Sequence, residues 1–318
     1  MLEEALDSIP LYPRRRLLGT PSGGSISVRR GGRSDAISSR PYRPGDQVQM
    51  IDWKASARLS SARNDDEFIV RERRAEETPA VVLVVDRRPG MALYPRDLPW
   101  LHKPDAIRRI AHLLIRSAVH QRALVGYLDI ASHPGETDAG TPFWRAPRAE
   151  AGAWSATVHD DVDASLSDAF DAPQDGLERA FEFLATRRSA VPLGSFVFVV
   201  SDFIVLPPID AWTQLVGRGW DVVPVIVQDP VWEQSFPPID GVLVTLADAA
   251  GGQARRVRLG ARDVTQRRRE NTQRLEALQA HFARLGLDAV LVGSADPEQL
   301  AEVFLEWARL RLERGSAR

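Results

Sequence analysis

The segment AVVLVVDRRPG, residues 80–90, decides the fold class of this chain. Its first six residues are all apolar, without the polar and apolar alternation of a strand that has one side in solvent. A continuous apolar run of this length is typical of a strand covered by helices on both faces, as in parallel sheets. Asp86 follows the run directly, so a carboxylate stands at the end of the predicted strand.

A second segment, SFVFVVSD at residues 195–202, repeats this arrangement and ends in Asp202. In parallel sheets the carboxyl ends of the strands meet at one edge, and ligands bind in the crevice beyond that edge. We therefore expect Asp86 and Asp202 to share such a crevice.

Strand and helix patterns alternate from residue 79 to the C-terminus. Further strands are predicted at residues 123–130, 143–145, 220–229, 241–248, 255–260 and 288–293. Helices are predicted at residues 104–122, 148–157, 175–188, 209–216, 262–285 and 297–313. This order predicts an α/β fold with a mostly parallel, doubly wound sheet over residues 79–318, including a C-terminal extension.

Residues 1–78 have a different character and are predicted to form an N-terminal arm with a small β region. Residues 20–35 are rich in Gly, Ser and Arg, which favours a mobile loop. Pro44-Gly45 suits the centre of a type II turn. Residues 67–74, EFIVRERR, alternate as a strand does, and their charges favour a sheet edge or a small outlying sheet.

The composition of the 318 residues limits the classes of function. With 44% hydrophobic and 26% charged residues the chain can bury a core, and a formal net charge of -2 gives no general attraction to nucleic acid. The chain has no cysteine, which excludes disulfides, thiol nucleophiles and cysteine-based zinc sites. We find neither a signal-peptide pattern nor an apolar segment long enough to span a bilayer. We expect a cytoplasmic protein that reaches a membrane only through a partner.

The loop after the first strand departs from the magnesium-binding loop of von Willebrand A domains, which reads Asp-x-Ser-x-Ser. That site needs hard oxygen ligands from a carboxylate and two hydroxyls. Arg88 and Gly90 stand at the hydroxyl positions here, and neither side chain ligates a cation. Where a second loop should offer a threonine, the nearest match by position is Asp175. We predict that the site holds no metal.

We hypothesise that Arg87 or Arg88 replaces the metal ion by pairing with Asp86, Asp202 or both, because buried carboxylates without a cation are costly. In the alternative, both arginines point into solvent and Asp202 only caps the following turn. The predicted interaction face comprises Asp86, Arg87, Arg88, Gly90, Asp175, Ser201 and Asp202.

The segment from Tyr42 to Arg58 is the most distinctive in the chain. Its chemistry indicates a tight turn followed by Asp52, which can accept hydrogen bonds from Arg58 or from backbone and so favours a structural role. The residues that carry a resemblance are Tyr42, Pro44, Gly45, Asp46, Ile51, Asp52, Trp53, Ala57 and Arg58, with Arg71-Glu72, Asp86 and Ser201-Asp202-Phe203 further on. In order and approximate spacing these blocks resemble the bacterial family called domain of unknown function 58, over about residues 40 to 205.

The resemblance implies a von Willebrand A-like fold and a role as an adaptor or assembly factor beside MoxR-type AAA+ ATPases. Many members of that family keep the intact Asp-x-Ser-x-Ser loop, and many begin with transmembrane helices. This sequence shows neither feature. Metal-dependent binding and a membrane location are therefore not carried over.

Three classes of function stay open at this point. The first is a non-catalytic interaction module without a cofactor, whose partner is a protein such as a MoxR-type AAA+ ATPase. The second is a divalent-metal-dependent hydrolase using Asp86 and Asp202, although Arg88 stands where such enzymes usually place a second aspartate. The third is a nucleic-acid-binding protein that uses the arginines of the N-terminal arm or of the late helix.

The late helix and the histidines give weaker signals. In the helix predicted at residues 262–285, arginines are interspersed with acids, which is typical of a solvated face with ion pairs four residues apart. The residues are Arg262, Arg267, Arg268, Arg269 and Arg274, beside Asp263, Glu270 and Glu276. His112 and His120 are two helical turns apart, which is not the spacing of a metal-binding pair on a helix.

Overall fold

The computed structural model describes residues 8–14, 38–41, 53–54, 56–58, 68–72, 79–93, 99–148, 151–187, 189–246 and 255–316. The chain divides into two compact units, residues 16–77 and residues 1–15 with 78–318. The Gly/Ser/Arg-rich segment 20–35 and the predicted turn at Pro44-Gly45 lie outside the described residues. The same holds for Tyr42, Asp46, Ile51 and Asp52.

The smaller unit contains a two-stranded antiparallel sheet of β1, Ser38–Pro41, and β2, Ile69–Glu72. The charged strand predicted at residues 67–74 thus belongs to a small separate sheet. Trp53, Lys54 and residues 56–58 are helical, and Trp53 meets Phe68 edge-on with ring centroids 5.9 Å apart.

The larger unit is built on a six-stranded sheet. Its strands are β3, Ala80–Val85; β4, Leu124–Asp129; β5, Phe143–Arg145; β6, Phe196–Ser201; β7, Asp221–Val227; and β10, Val290–Val292. The spatial order is β10-β7-β6-β3-β4-β5, and all neighbours are parallel except β5, which runs antiparallel to β4. Val81 pairs with both Val125 and Phe196, so β3 lies between β4 and β6. Asp86 and Asp202 therefore follow adjacent strands, as predicted.

Helices cover both faces of this sheet. They are α1, Lys103–His120; α2, Ala151–Ser165; α3, Gly176–Ala185; α4, Ile209–Val216; α5, Ala261–Arg284; and α6, Pro297–Ser316. Val81, Leu83 and Val85 of β3 pack in one core with α1, α2 and α6. The residues between them on β3 pack in a second core with α3, α4 and the end of α5. The predicted doubly wound, mostly parallel α/β class is confirmed and is consistent with the von Willebrand A type.

Two parts of the larger unit differ from the expected arrangement. The strands β8, Leu243–Leu246, and β9, Arg255–Arg258, form a separate antiparallel pair and do not extend the central sheet. Residues 8–14 belong to the larger unit and not to the N-terminal region predicted for residues 1–78. Ile9 and Leu11 are buried in the core beside α1, and the Ile9 amide donates to Ser117 Oγ at 2.9 Å.

No described helix combines the length and the apolar character needed to cross a lipid bilayer.

The second core depends on Trp212 of α4, which is fully buried. Its ring lies edge-on to Phe181 and Phe282, with centroids 4.8 and 5.1 Å apart. Trp212→Ala should lower the free energy of unfolding by about 3–5 kcal/mol, because the cavity it leaves cannot close fully. Urea denaturation followed by circular dichroism measures this loss. Ile209→Ala, on the same helix but 57% exposed, is the control and should change stability by less than about 0.5 kcal/mol.

Candidate functional site

Four buried aspartates stand at the carboxyl edge of the sheet, and each follows or ends one of four adjacent parallel strands. Asp86 follows β3, Asp129 ends β4, Asp202 follows β6 and Asp229 comes two residues after β7. None of them is more than 3% exposed. Sequence analysis selected Asp86 and Asp202 and missed the other two, although both end apolar segments in the same way. The edge therefore gathers more negative charge than we expected.

Arg88 lies between Asp86 and Asp202. Its Nε is 3.0 Å from both carboxylate oxygens of Asp86, and its Nη2 is 2.5 Å from Oδ2 of the same residue. The same Nη2 lies 3.3 Å from Asp202 Oδ1. The Ser201 hydroxyl donates to Asp86 Oδ2 at 2.6 Å. Both oxygens of Asp86 are thus occupied by donors of the protein itself.

The alternative with solvent-facing arginines is wrong, because Arg88 is only 5% exposed and Arg87 is fully buried. Asp202 does cap the following turn, since its Oδ1 accepts a hydrogen bond from the Ile204 amide at 3.0 Å, but capping is not its only role. Asp202 therefore caps the turn after β6 and pairs with Arg88 through the same oxygen.

Lys103, which sequence analysis did not assign, also binds this cluster. Its fully buried Nζ is 2.9 Å from Asp202 Oδ2 and 2.6 Å from Glu233 Oε1, and it donates to the Gly90 carbonyl at 3.3 Å. An ammonium group is compact and can donate to two carboxylates that lie on different sides of it, whereas the donors of a guanidinium all lie in one plane. The one available sequence signal was that Lys103 is one of only two lysines in the chain.

Burial and pairing act in opposite directions on the two cations of this cluster. Burial by itself lowers the pKa of Lys103, but attraction by Asp202 and Glu233 outweighs it and raises that pKa. Burial likewise opposes the charge of Arg88, yet the hydrogen bonds and charge of Asp86 raise its pKa, with help from Asp202. Both cations therefore stay charged inside the protein.

Pairing with Lys103 does not restore the ordinary pKa of Glu233, because Lys103 also pairs with Asp202. Burial raises the pKa of Glu233 above the ordinary value of 4.5, Lys103 offsets this in part, and the charge of Asp202 adds to the rise. Its position is set from outside the cluster, since Arg274 of α5 donates to the Glu233 carbonyl at 2.7 Å. Glu233 thus keeps its proton at a higher pH than a glutamate in water does.

Arg87 is part of a second buried cluster, at the end of β4. Its Nη1 lies 3.2 Å from Asp129 Oδ2 and 2.9 Å from His133 Nε2, and its Nη2 donates to the Ala169 carbonyl at 2.6 Å. The Tyr127 hydroxyl donates to Asp129 Oδ2 at 2.7 Å, and burial raises the pKa of Tyr127 well above 10.0. Of the two candidate arginines, only Arg88 pairs with the acids that the hypothesis named.

The remaining predicted residues divide between the cluster and the surface. Gly90 belongs to the cluster, since a Cβ added to it would lie 3.7 Å from Asp202 Oδ2. Asp175 is not part of the cluster. Its Oδ2 pairs with Arg179, one helical turn later, at 2.9 Å, and its side chain is 48% exposed. The position before α3 was predicted correctly, but the partner lies along the helix and not across the crevice.

These residues do not fit the magnesium site of a von Willebrand A domain. Mg²⁺ requires oxygen ligands at about 2.0–2.1 Å in a near-octahedral array. Here Arg88 approaches Asp86 and Lys103 approaches Asp202, so two fixed positive charges already occupy the crevice where the ion would bind.

The backbone after β6 is held in a strained conformation. Phe203 has a φ of 50°, in the left-handed region that bulky residues rarely adopt. Its amide donates to Ser201 Oγ at 3.0 Å, and its ring packs against Phe282 with centroids 5.2 Å apart. Burial of the ring and this hydrogen bond hold the Ser201-Asp202-Phe203 block in the geometry that aims Asp202 at the cluster.

The arginines of α5 include two that dock the helix to the loop after β7. Arg268 donates to the Phe236 carbonyl at 3.0 Å, and Arg274 binds the Glu233 carbonyl. Arg268 is exposed, as predicted for the solvated face, although it also binds this carbonyl. Arg274 is half-buried and departs from the prediction, because the Glu233 carbonyl gives it a partner that a sequence pattern does not reveal.

An apolar rim, defined as Leu93, Ile204, Val205 and Val231, is exposed in the loops that follow β3, β6 and β7. The exposed fractions are 37%, 43%, 42% and 42% in that order. These loops follow three adjacent strands, so the rim belongs to the same edge as the buried charges. Exposed apolar side chains gathered at one edge are typical of an interaction surface.

Residues 38–278 match the family described as "Protein of unknown function DUF58". Among solved structures, the chain is similar to the conserved hypothetical protein BatB from Bacteroides thetaiotaomicron, at 14% identity and a TM-score of 0.40 over 73% of this chain and 99% of that one. It is also similar to an aerotolerance-related membrane protein from Bacteroides fragilis, at 14% identity and a TM-score of 0.38 over 65% of this chain and 99% of that one. None of the curated proteins matches.

Arg88→Met should lower the free energy of unfolding by about 3–5 kcal/mol, because it leaves Asp86 buried without its cation. If Arg88 replaces a metal ion, millimolar Mg²⁺ should raise the melting temperature of this variant and leave that of the wild type unchanged. Differential scanning fluorimetry with and without Mg²⁺ measures both effects.

Asp86→Asn combined with Arg88→Met is the control for that ion pair. The loss of unfolding free energy in the double variant should be about 1–3 kcal/mol smaller than the sum of the losses in Asp86→Asn alone and Arg88→Met alone. A stable Arg88→Met variant that ignores Mg²⁺ would refute the role given to Arg88.

Glu233→Gln tests the raised pKa of Glu233. Because the folded-state pKa lies above the unfolded one, protonation stabilises the fold at low pH, and this contribution is lost as the pH rises from 4.5 through the folded pKa. The wild type should therefore lose stability relative to Glu233→Gln as the pH rises over that range, as measured by urea denaturation at several pH values.

Glu306→Gln is a contrast with the opposite sign. The hydrogen bond from Arg309 lowers the pKa of Glu306, so its contribution is present above pH 4.5 and is lost as the pH falls through the lowered pKa. The stability of the wild type relative to each variant should therefore change with pH in opposite directions for Glu233→Gln and Glu306→Gln. A change in the same direction for both would contradict the raised pKa of Glu233.

Proposed function

The chain belongs to the DUF58 family, and from that premise we propose that it is a non-catalytic protein-interaction module, an adaptor or assembly factor acting with a MoxR-type AAA+ ATPase. One observation carries the proposal: the crevice where a metal-dependent domain would hold its ion is neutralised by Arg88 and Lys103. The edge around that crevice still exposes an apolar rim. The named partner class rests on the family resemblance.

The charge pairing supports an interaction role over a hydrolytic one. A hydrolase that used Asp86 and Asp202 would need at least one carboxylate free to hold a metal ion or to move a proton. Asp86 is bound through both oxygens by Arg88, and Asp202 is shared between Arg88 and Lys103. A group held in this way is a structural anchor for the surrounding loops.

The rim supplies the surface that an adaptor needs. Buried aspartates hold two of the loops that carry the rim. Asp202 accepts a hydrogen bond from the Ile204 amide, and Asp229 accepts one from the Val231 amide at 2.8 Å. Prearranged apolar side chains bind a partner with less loss of conformational entropy than mobile ones do. We propose that Ile204, Val205 and Val231 contact the partner directly.

The nucleic-acid alternative has less support. The formal net charge is -2, and two of the five arginines that suggested it, Arg268 and Arg274, bind backbone carbonyls of this chain. A phosphate backbone would have to compete with those contacts.

A pull-down from the native host followed by mass spectrometry tests the proposal. The wild-type chain should capture a MoxR-type AAA+ ATPase. Ile204→Asp combined with Val205→Asp should reduce that capture at least about tenfold, because charges on the rim are desolvated at an apolar interface.

Leu193→Asp is the matched control, since Leu193 is 62% exposed and precedes β6, at the opposite edge of the sheet. It should leave capture unchanged. Equal losses in both variants, or recovery of nucleic acid without an ATPase, would count against the proposal.

A further inference from the structure

A histidine pair and a carboxylate meet between α1 and α2, away from the edge described above. Within the described part of the chain, His112, His159 and Asp163 form the single group of three such residues whose potential ligand atoms all lie within 4.8 Å of one another. His159 and Asp163 are four residues apart on α2, so they lie on the same face of that helix, and His112 comes from α1 opposite. The sequence pattern suggested only His120, on the same helix, as a neighbour of His112, and that spacing does not suit a metal ion.

Each of the two histidines lies close to a different oxygen of the Asp163 carboxylate. His112 Nε2 is 3.0 Å from Asp163 Oδ1, and His159 Nδ1 is 3.7 Å from Asp163 Oδ2. Bonds of about 2.0–2.1 Å to a tetrahedral Zn²⁺ place neighbouring ligand atoms about 3.3 Å apart. One ligand atom from each of the three residues already lies within 4.8 Å of the other two, so small side-chain movements bring them to that spacing. The imidazole rings are stacked with centroids 3.6 Å apart, so the ion requires one ring to rotate. The partial exposure of both histidines, 19% and 33% for their side chains, permits that rotation.

The surroundings provide what metal ligands need. Arg108 Nε donates to Asp163 Oδ1 at 3.1 Å, which orients the carboxylate and leaves Oδ2 facing His159. Hydrogen bonds of this kind to ligating carboxylates are a regular feature of metal sites.

The donor set decides the class of ion. Two imidazole nitrogens and one carboxylate oxygen suit zinc and the neighbouring transition metals, whereas Mg²⁺ and Ca²⁺ prefer oxygen ligands alone. Three protein ligands leave a fourth position open. Of the three residues, His159 lines a surface cavity of about 460 Å³ together with His120, Ser155 and Asp160, so solvent reaches that ligand.

We propose that His112, His159 and Asp163 form a binding site for a divalent ion of the zinc class, which links α1 to α2 and keeps one coordination position open. The site is independent of the Arg88 cluster and of the proposed adaptor role.

Calorimetric titration of the full chain with Zn²⁺, after removal of metal and without an affinity tag, tests the site. The wild type should bind one ion per chain, and Co²⁺ in its place should give the absorption spectrum of a tetrahedral complex. His159→Gln and Asp163→Asn should each weaken Zn²⁺ binding about tenfold or more.

His120→Gln is the matched control, because His120 lines the same cavity from α1 but lies outside the group of three. It should change the affinity less than about twofold. Circular dichroism of His159→Gln confirms that the variant is folded. A wild type that binds no Zn²⁺, or a folded His159→Gln that binds it as tightly as the wild type, would overturn the proposal.

Discussion

The ion pair between Arg88 and Asp86 is the contact on which the carboxyl edge of the sheet depends. Four parallel strands deliver four buried aspartates to one edge, and their charges would repel one another without cations among them. Arg88 follows β3 by three residues, and its side chain reaches both Asp86 and, across to the β6 loop, Asp202. Arg88 thus gives the neighbouring loops a common anchor at the edge of the sheet where the loop pattern of von Willebrand A domains led us to consider an ion.

That anchor extends outward through Lys103 and Glu233. Lys103 ties the start of α1 to the β6 loop and to the β7 loop, and Arg274 ties α5 to the same β7 loop. The loops that carry the apolar rim are therefore held by charged contacts on their buried side, and the rim residues lie on their exposed side. The apolar surface over a neutralised charge cluster is the observation behind the interaction role that we propose.

Much of the fold follows from local patterns, whereas the partners of the site do not. The apolar runs at residues 80–85 and 196–201 predicted buried strands, and the helical stripe at α1 began within one residue of the predicted position. The hypothesis that an arginine neutralises Asp86 and Asp202 agrees with the contacts of Arg88. It could not choose between Arg87 and Arg88, because adjacent residues in a loop point in different directions and only the surrounding packing decides which.

The sequence by itself determined the alternation of strands and helices and the presence of acids at strand ends, because both are read from neighbouring residues. Only the tertiary structure decided that Lys103 bridges Asp202 to Glu233, that Arg87 pairs with Asp129, and that Asp175 stays on its own helix. It also brought His112 against His159 and Asp163. The physical reason is distance along the chain: each of these contacts, except that of Asp175, joins residues more than 40 positions apart, and charge pairing has no periodicity that a sequence could display.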